Sequence, residues 1–584
     1  MKGIIVLLVL VFGLFSNTSY SQQPQPQPVV VKEFVKLLTP DSEVGDAIIY
    51  LEDEELVNPL DRPYIKFLTT YNIEEEVERQ KTMLIVSFIA HNMIGAIDDK
   101  SEFVGGGYYP IAKYEYKDKA LEPTFKPINR VPGSKTLWAI DIRNFNWTEQ
   151  AWESMFSTQG YFVEPIVTHE KNGALRLLSG NSVVRADWFV NHASAITQQA
   201  DIGSKVNIYK EFLYGSIKSA PKNVTEFEKV WGIDTARARN IGNVSATLVT
   251  KSKAVARHNR IMFGYRTEFG WYYRTYDVNF QNGLRDYGEN IIFYKGKPPH
   301  VFDGGEIFAT NLIQMQVYDL YNAQESTDVA FGDPTLVRHA TDVLNDPRVR
   351  TPHSCYDCHA GGPIPSENSL SEFMEARMDA KIYDKGDLLR IKRVYLDNRF
   401  EDSVAENQIA FAKSLEKING LKPEENVKYY LSVISRYNED IDLKRAAFEC
   451  GVSPEAYESF MREQNKIKPS KVPMRIAKML AEKNPERIPR NIWESPGKDG
   501  QPGLFQQSMV MIHGLTLITD TVEVQYIVTK PSFIYEADGK TSIMALKIGD
   551  KVKENPGSKT TQGWIGVKSL DGKPGYVKLD SVKK

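Results

Sequence analysis

Cysteine is scarce in this sequence, which has three among its 584 residues. Cys355 and Cys358 lie close together, whereas Cys450 stands alone. Exported proteins that depend on disulfides use cysteines in pairs, and a structural zinc site needs four ligands. The sequence therefore provides neither a disulfide framework nor a second cysteine pair that would complete a zinc site.

An excess of charge of one sign is also lacking. The formal net charge is −3 and the isoelectric point is about 6.4. Nucleic-acid binding needs a basic patch or stripe, and the sequence has none. We therefore expect no nucleic-acid partner.

Long apolar runs are absent beyond the N-terminus. The run at the N-terminus, Ile4–Phe15, follows the basic Lys2 and precedes the small residues Ser19 and Ser21. It is shorter than the roughly 20 residues of a membrane-spanning helix. This pattern is typical of a cleaved secretory signal. We predict a signal peptide over residues 1–21 and an exported protein, periplasmic or at the cell surface, that is soluble after cleavage and has no stable membrane span.

The length predicts several domains, because single hydrophobic cores stop growing at roughly 250–300 residues. The predicted fold class is α+β and multidomain: a mixed body, then a helical region, then short β-prone runs typical of a small barrel of five or six strands. A Pro/Gly-rich stretch separates the last two. The predicted segments are 22–29 for a Gln/Pro tether, 30–345 for the α+β body, 346–490 for the helical region, 491–521 for a linker and 522–584 for the barrel.

Local patterns place individual elements within these regions. Glu74–Ile97 has the apolar spacing of a helix. Asp303–Glu306 lacks the ligand spacing of an EF-hand and is expected to be a tight turn. Leu443–Ser453 is expected to form two packed helices joined by a glycine turn, with Cys450 buried between them. Strands are expected at residues 260–266, 271–280 and 290–294.

The segment Cys355-Tyr356-Asp357-Cys358-His359 has the spacing C-x-x-C-H. Two cysteines on one helical turn can each form a thioether with a haem vinyl group, and the next histidine can then reach the iron. A thioredoxin-like dithiol needs a βαβ context, which the flanking residues do not show, and half a zinc site has no partner here. The motif resembles that of the c-type cytochromes and predicts one covalent haem c on Cys355 and Cys358, with His359 as the proximal iron ligand.

Three upstream segments extend this resemblance. They begin at Arg185, Arg257 and Asp303 and read RADWFV, RHNR and DGGEIF. With the haem motif, and with Leu137–Asn146 further upstream, they resemble a family of large, exported and mostly uncharacterised bacterial proteins that contain a cytochrome c domain. That family reads LPNGLQ after its Gly-Gly-Glu, whereas this chain has NLIQMQ at Asn311–Gln316. The resemblance implies one haem domain embedded in a larger body, over roughly residues 60 to 460, and brings no established reaction.

The C-terminal region has its own resemblance. The segments Tyr535-Glu536, Gly563-Trp564-Ile565 and Gly575-Tyr576-Val577 are similar to those of bacterial SH3-like domains. Such domains often bind cell wall or proteins, so the resemblance implies a cell-wall or protein partner. The alternative is a domain that only packs on the body.

The distal side of the haem has two candidate ligands, His258 and Met374. In an open, peroxidase-like pocket His258 would instead act as an acid–base group. Other interpretations are a hydrogen-bonded strand histidine and a core-filling methionine. Arg260 is a candidate for binding a haem propionate, and an ordinary ion pair is its alternative.

These observations predict an exported monohaem cytochrome that exchanges single electrons with a redox partner protein. Two alternatives stay open. One is a haem peroxidase or oxidase with an open distal site, and the other is a haem-based sensor or scaffold. A bare carrier needs only about 100 residues, and this longer chain leaves open whether it is an enzyme.

Overall fold

The computed structural model describes residues 43–96, 128–152, 164–169, 175–192, 208–249, 259–278, 302–329, 349–365, 399–494 and 503–513, apart from a few positions within them, together with residues 386 and 389 and the strands beyond residue 524. The chain divides into two compact units, one that extends to Phe505 and one that begins at Gln506. The predicted signal peptide (1–21), the Gln/Pro tether (22–29) and the expected strand at 290–294 lie outside the described residues.

The first sheet has five strands in the order β2-β3-β1-β5-β4. β1 is antiparallel to β3 and parallel to β5, so this sheet is mixed. Every residue of β1 is buried, as expected for a strand covered on both faces. The strands are β1 (Ile65–Thr69), β2 (Asn129–Arg130), β3 (Leu137–Asp141), β4 (Glu164–His169) and β5 (Leu175–Arg185).

The second sheet is antiparallel, and its strands are adjacent in chain order from β6 to β10. The strands expected at 260–266 and 271–280 are confirmed as β7 and β8. The strands are β6 (Val244–Val249), β7 (Asn259–Thr267), β8 (Gly270–Val278), β9 (Gly304–Thr310) and β10 (Gln316–Asn322).

The tight turn expected at Asp303–Glu306 is wrong, because β9 begins at Gly304. Gly304 is paired with β10 on one side and with β8 on the other. A Cβ atom on Gly305 would overlap the carbonyl oxygen of Thr275 on β8. The glycines therefore allow close strand approach rather than a change of chain direction.

Several helices of the first unit, among them the helix Arg399–Asn419, pack on the second sheet and share one core with it. That core joins residues of the predicted body, such as Phe88 and Tyr276, to residues of the predicted helical region, such as Tyr356 and Phe411. The boundary predicted at residue 345 therefore does not separate two compact units. The helices are α1 (Glu43–Glu52), α2 (Glu76–Asn92), α3 (Ala186–His192), α4 (Ile208–Tyr214), α5 (Val224–Val230), α6 (Thr235–Asn240), α7 (His353–His359), α8 (Arg399–Asn419), α9 (Pro423–Asn438), α10 (Leu443–Glu449), α11 (Pro454–Ile467), α12 (Met474–Met479), α13 (Arg490–Glu494) and α14 (Leu504–His513).

Two local predictions about helices are confirmed. The helix expected over Glu74–Ile97 is α2, which ends earlier because Met93 leaves helical geometry. α10 and α11 are joined at Gly451, whose φ of 70° is in the left-handed region that favours glycine. Cys450 at this turn is fully buried. None of the helices in the described ranges is long and apolar enough to cross a bilayer.

The linker predicted at 491–521 is partly wrong, because α14 and most of α13 fall inside it. Trp493 and Phe505 are buried, and their ring centroids lie 6.1 Å apart. A linker was predicted because of the Pro/Gly stretch between these two residues. Their aromatic side chains provide enough apolar area to order short helices on either side of it. Most of that Pro/Gly stretch lies outside the described residues.

The second unit contains a seven-stranded sheet, in the order β13-β12-β16-β15-β14-β11-β17. This is more strands than the five or six expected, and the α+β class of the whole chain is confirmed. The strands are β11 (Gln525–Val528), β12 (Ser532–Tyr535), β13 (Ser542–Leu546), β14 (Lys551–Glu554), β15 (Trp564–Lys568), β16 (Pro574–Lys578) and β17 (Val582–Lys583).

A buried ionic network links α3, α10 and α13 of the first unit. Arg185 lies 3.0 Å from Asp187 and 2.9 Å from Glu449, and Arg490 lies 2.6 Å from Glu449. All four side chains are buried. Burial alone would raise the pKa of Glu449, but Arg185 and Arg490 hold it well below its ordinary value. The geometry of such a network matters because each buried ion is costly unless it is paired.

Replacing Glu449 with Gln is expected to lower the free energy of unfolding by about 3–5 kcal/mol, because two buried guanidinium groups lose their shared partner. Glu439→Gln is the matched control, since Glu439 is exposed and pairs with Arg445 at 3.3 Å; we expect it to cost at most about 1 kcal/mol. Urea denaturation followed by tryptophan fluorescence measures both. Equal costs would contradict a stabilising role for the network.

Candidate functional site

The C-x-x-C-H motif forms the short helix α7. Cys355 is buried and Cys358 is partly exposed, and neither forms a disulfide. They are three positions apart, so they lie on the same side of one helical turn. Burial raises the pKa of the Cys355 thiol well above its ordinary value, and Glu306 and Cys358 add to this effect. The motif therefore places both cysteines on one face of the helix.

His359, the last residue of α7, is held through one ring nitrogen. Its Nδ1 lies 3.2 Å from the carbonyl oxygen of Gly362. Because a carbonyl oxygen only accepts hydrogen bonds, Nδ1 carries the proton and Nε2 keeps its lone pair. Burial lowers the pKa of His359, so the imidazole is neutral at neutral pH. A neutral imidazole with a free Nε2 is the form that binds a metal ion.

The loop that carries this acceptor is fixed by two helices. Asn426 of α9 donates to the carbonyl oxygen of Ala360 at 2.7 Å, and Gln408 of α8 donates to that of Pro363 at 2.8 Å. Gly362 has a φ of 93°, and a Cβ atom there would lie 2.6 Å from a ring carbon of Phe411. The loop geometry therefore requires glycine at the residue that orients His359.

Aromatic side chains of the second sheet cover the His359 ring. The ring centroid lies 5.4 Å from that of Phe308 on β9 and 5.9 Å from that of Tyr318 on β10. Tyr318 donates to the side-chain oxygen of Gln316 at 2.6 Å. The hydroxyl of Tyr356 is buried and has no hydrogen-bond partner in the part of the chain that the structure describes. The motif therefore packs against aromatic side chains of low polarity.

The structure places Arg260 in the second sheet, on β7. Its Nε and Nη2 donate to the two carboxylate oxygens of Asp277 at 2.7 and 2.8 Å, and its Nη1 donates to Glu306 at 2.7 Å. The charge of Arg260 lowers the pKa of His359. The pairs are buried within one sheet. Binding of a haem propionate by Arg260 stays a prediction. His258 and Met374 lie outside the described residues, so their distal roles stay predictions as well.

Sequence reasoning missed three residues of this site. Glu306 lies in the DGGEIF segment, which was predicted to form a turn. That segment was the only sign in the sequence that Glu306 belongs to the site. Gly362 and Asn426 act on the main chain of the loop after the motif, and no side-chain pattern marks such contacts in advance. Asn426 also comes from a helix far along the chain, so its contact depends on tertiary packing.

Comparison of the chain with protein-family models, with curated proteins and with solved structures finds no match. Within the described ranges no group of three or more His, Cys, Asp and Glu side chains has the arrangement of a metal site. The donor set at α7 is of a different kind: two thiols on one face and one imidazole with a free nitrogen. This set fits a haem c, in which the porphyrin supplies the remaining iron ligands.

Gly362→Ala is expected to lower the free energy of unfolding by about 1–3 kcal/mol through its clash with Phe411, in addition to about 1 kcal/mol of backbone strain. Gly420→Ala is the matched control. Gly420 has a φ of 74°, and nothing lies within 4 Å of a Cβ atom there, so only the strain applies. Urea denaturation of both variants measures the difference. Equal losses would show that the loop does not pack on Phe411 as described.

Proposed function

We propose that this protein is an exported c-type cytochrome that carries one haem and transfers single electrons. The haem is attached through thioethers to Cys355 and Cys358, and His359 is its proximal iron ligand. The observation that carries the proposal is the geometry of α7, with two cysteines outside any disulfide on one helical turn beside an imidazole whose Nε2 is unprotonated. When bound, the haem supplies an iron centre that gains and loses one electron.

The residues around α7 support a carrier more than a peroxidase. The proximal imidazole donates its Nδ1 proton to a neutral main-chain carbonyl, that of Gly362. A carboxylate at this position would make the imidazole a stronger electron donor, whereas a carbonyl does so less. The rings of Phe308 and Tyr318 pack beside the imidazole. The protein thus holds the ligand in one protonation state and one orientation, which suits repeated electron exchange with a redox partner protein.

The two ends of the chain complete the proposal. Residues 1–21 would direct export of the chain to the compartment in which haem c is attached. The low cysteine count would limit disulfide formation in that compartment. The seven-stranded sheet of the second unit is the SH3-like barrel of this proposal, and it would bind cell wall or a protein partner.

A visible absorption spectrum tests the carrier proposal against its rivals. We expect the protein from cells that mature cytochromes to be fully low-spin in both oxidation states, with no change on adding carbon monoxide or peroxide. A high-spin ferric form that reacts with peroxide would contradict the carrier and support an enzyme. A ferrous form that binds carbon monoxide reversibly without peroxide reactivity would support a gas sensor instead.

Cys358→Ser is expected to reduce covalent haem at least several-fold, because one of the two thioethers cannot form. Haem staining of a denaturing gel measures it. Cys450→Ala is the matched control, since Cys450 is a buried thiol in the turn between α10 and α11. It should keep full haem content per folded protein. Loss of stain in the control alone would place the attachment site elsewhere.

A further inference from the structure

Three charged side chains from neighbouring strands form a buried group to which the proposed function assigns no role. Arg260 and Asp277 lie directly opposite each other on β7 and β8, and Glu306 follows on β9. The guanidinium group donates to both carboxylates at 2.7–2.8 Å. The side chains of Arg260, Asp277 and Glu306 are 5%, 3% and 10% exposed. We refer to these three residues as the Arg260 group.

In the Arg260 group one guanidinium group binds two carboxylates, and both accept charge-assisted hydrogen bonds from it. Burial alone would lower the pKa of Arg260, but the two carboxylates raise it above its ordinary value, so the guanidinium group stays charged. These hydrogen bonds hold the carboxylate of Glu306 at a fixed position in the sheet.

Glu306 lies on the face of the sheet that packs on the haem motif. Glu306 and Phe308 are two residues apart on β9, so their side chains lie on the same face. Phe308 is the residue whose ring lies 5.4 Å from that of His359. The charge of Glu306 also acts to raise the pKa of the Cys355 thiol and of the His359 imidazole, and on the imidazole it exceeds the opposing effect of Arg260. Glu306 thus brings its negative charge to the proximal side of the proposed iron site.

We infer that Glu306, held in place by Arg260, is a fixed buried charge that lowers the reduction potential of the haem. This inference rests on the proposed function. Loss of an electron leaves the iron with one more positive charge, which a nearby carboxylate stabilises. The aromatic side chains of Phe308 and Tyr318 beside α7 lower the local polarity, and a charge interaction is stronger in such surroundings than in water. Arg260 has a positioning role, since its hydrogen bond to Glu306 fixes the carboxylate.

Potentiometric titration of Glu306→Gln tests the inference. At a fixed solution potential we expect the ratio of reduced to oxidised haem to rise by about tenfold, which for one electron is an upward shift of about 59 mV. Glu306→Asp keeps the charge and should stay close to the wild-type potential. Glu228→Gln is the matched control. Glu228 is a partly buried carboxylate 3.8 Å from Arg274 of the second sheet, and its charge is not among those that act on His359.

Each outcome decides one question. An unchanged potential in Glu306→Gln overturns the inference, and so does an equal shift in Glu306→Asp, which would indicate altered packing instead of charge. If Glu306→Gln fails to fold by circular dichroism, Glu306→Leu removes the same negative charge and must shift the potential upward. A wild-type protein without haem would overturn the proposed function itself, and the absorption spectrum recorded before titration separates that failure from failure of the inference.

Discussion

The hydrogen bond from His359 Nδ1 to the carbonyl oxygen of Gly362 is the interaction on which the site depends. It sets the tautomer, and therefore leaves Nε2 as the nitrogen with a lone pair. The acceptor is in place because Asn426 fixes the main chain two residues earlier, at Ala360, and Phe411 leaves room for glycine alone. Under the proposed function, α7 can hold the cofactor in one orientation because helices α8 and α9 hold the residues after it.

The polar interior of the first unit is organised around arginine. Arg185 and Arg490 share Glu449 and tie together helices that are far apart in the chain, whereas Arg260 joins three adjacent strands beside α7. The first network pairs its charges and serves stability. The second holds a carboxylate, Glu306, on the face of the sheet that packs on His359. All three upstream segments, RADWFV, RHNR and DGGEIF, thus supply members of buried ion pairs.

Much of the secondary structure followed from local pattern. Apolar spacing predicted α2, and β-prone residues predicted β7 and β8. These predictions succeeded because the apolar residues of each element lie on the face that it buries. The glycines at the start of β9 were misassigned, since close approach of strands and a tight turn both favour glycine. Cys355, Cys358 and His359 were identified as one set by spacing alone. The partners that orient His359 were not, because main-chain acceptors and distant packing leave no pattern in the sequence.

The mass of the mature protein tests the central claim most directly. Protein purified from cells competent in cytochrome maturation should be heavier than the apoprotein by one haem, and a proteolytic peptide that contains Cys355 and Cys358 should carry that added mass. A colourless protein with the mass of the apoprotein, or haem recovered on a different peptide, would contradict the account.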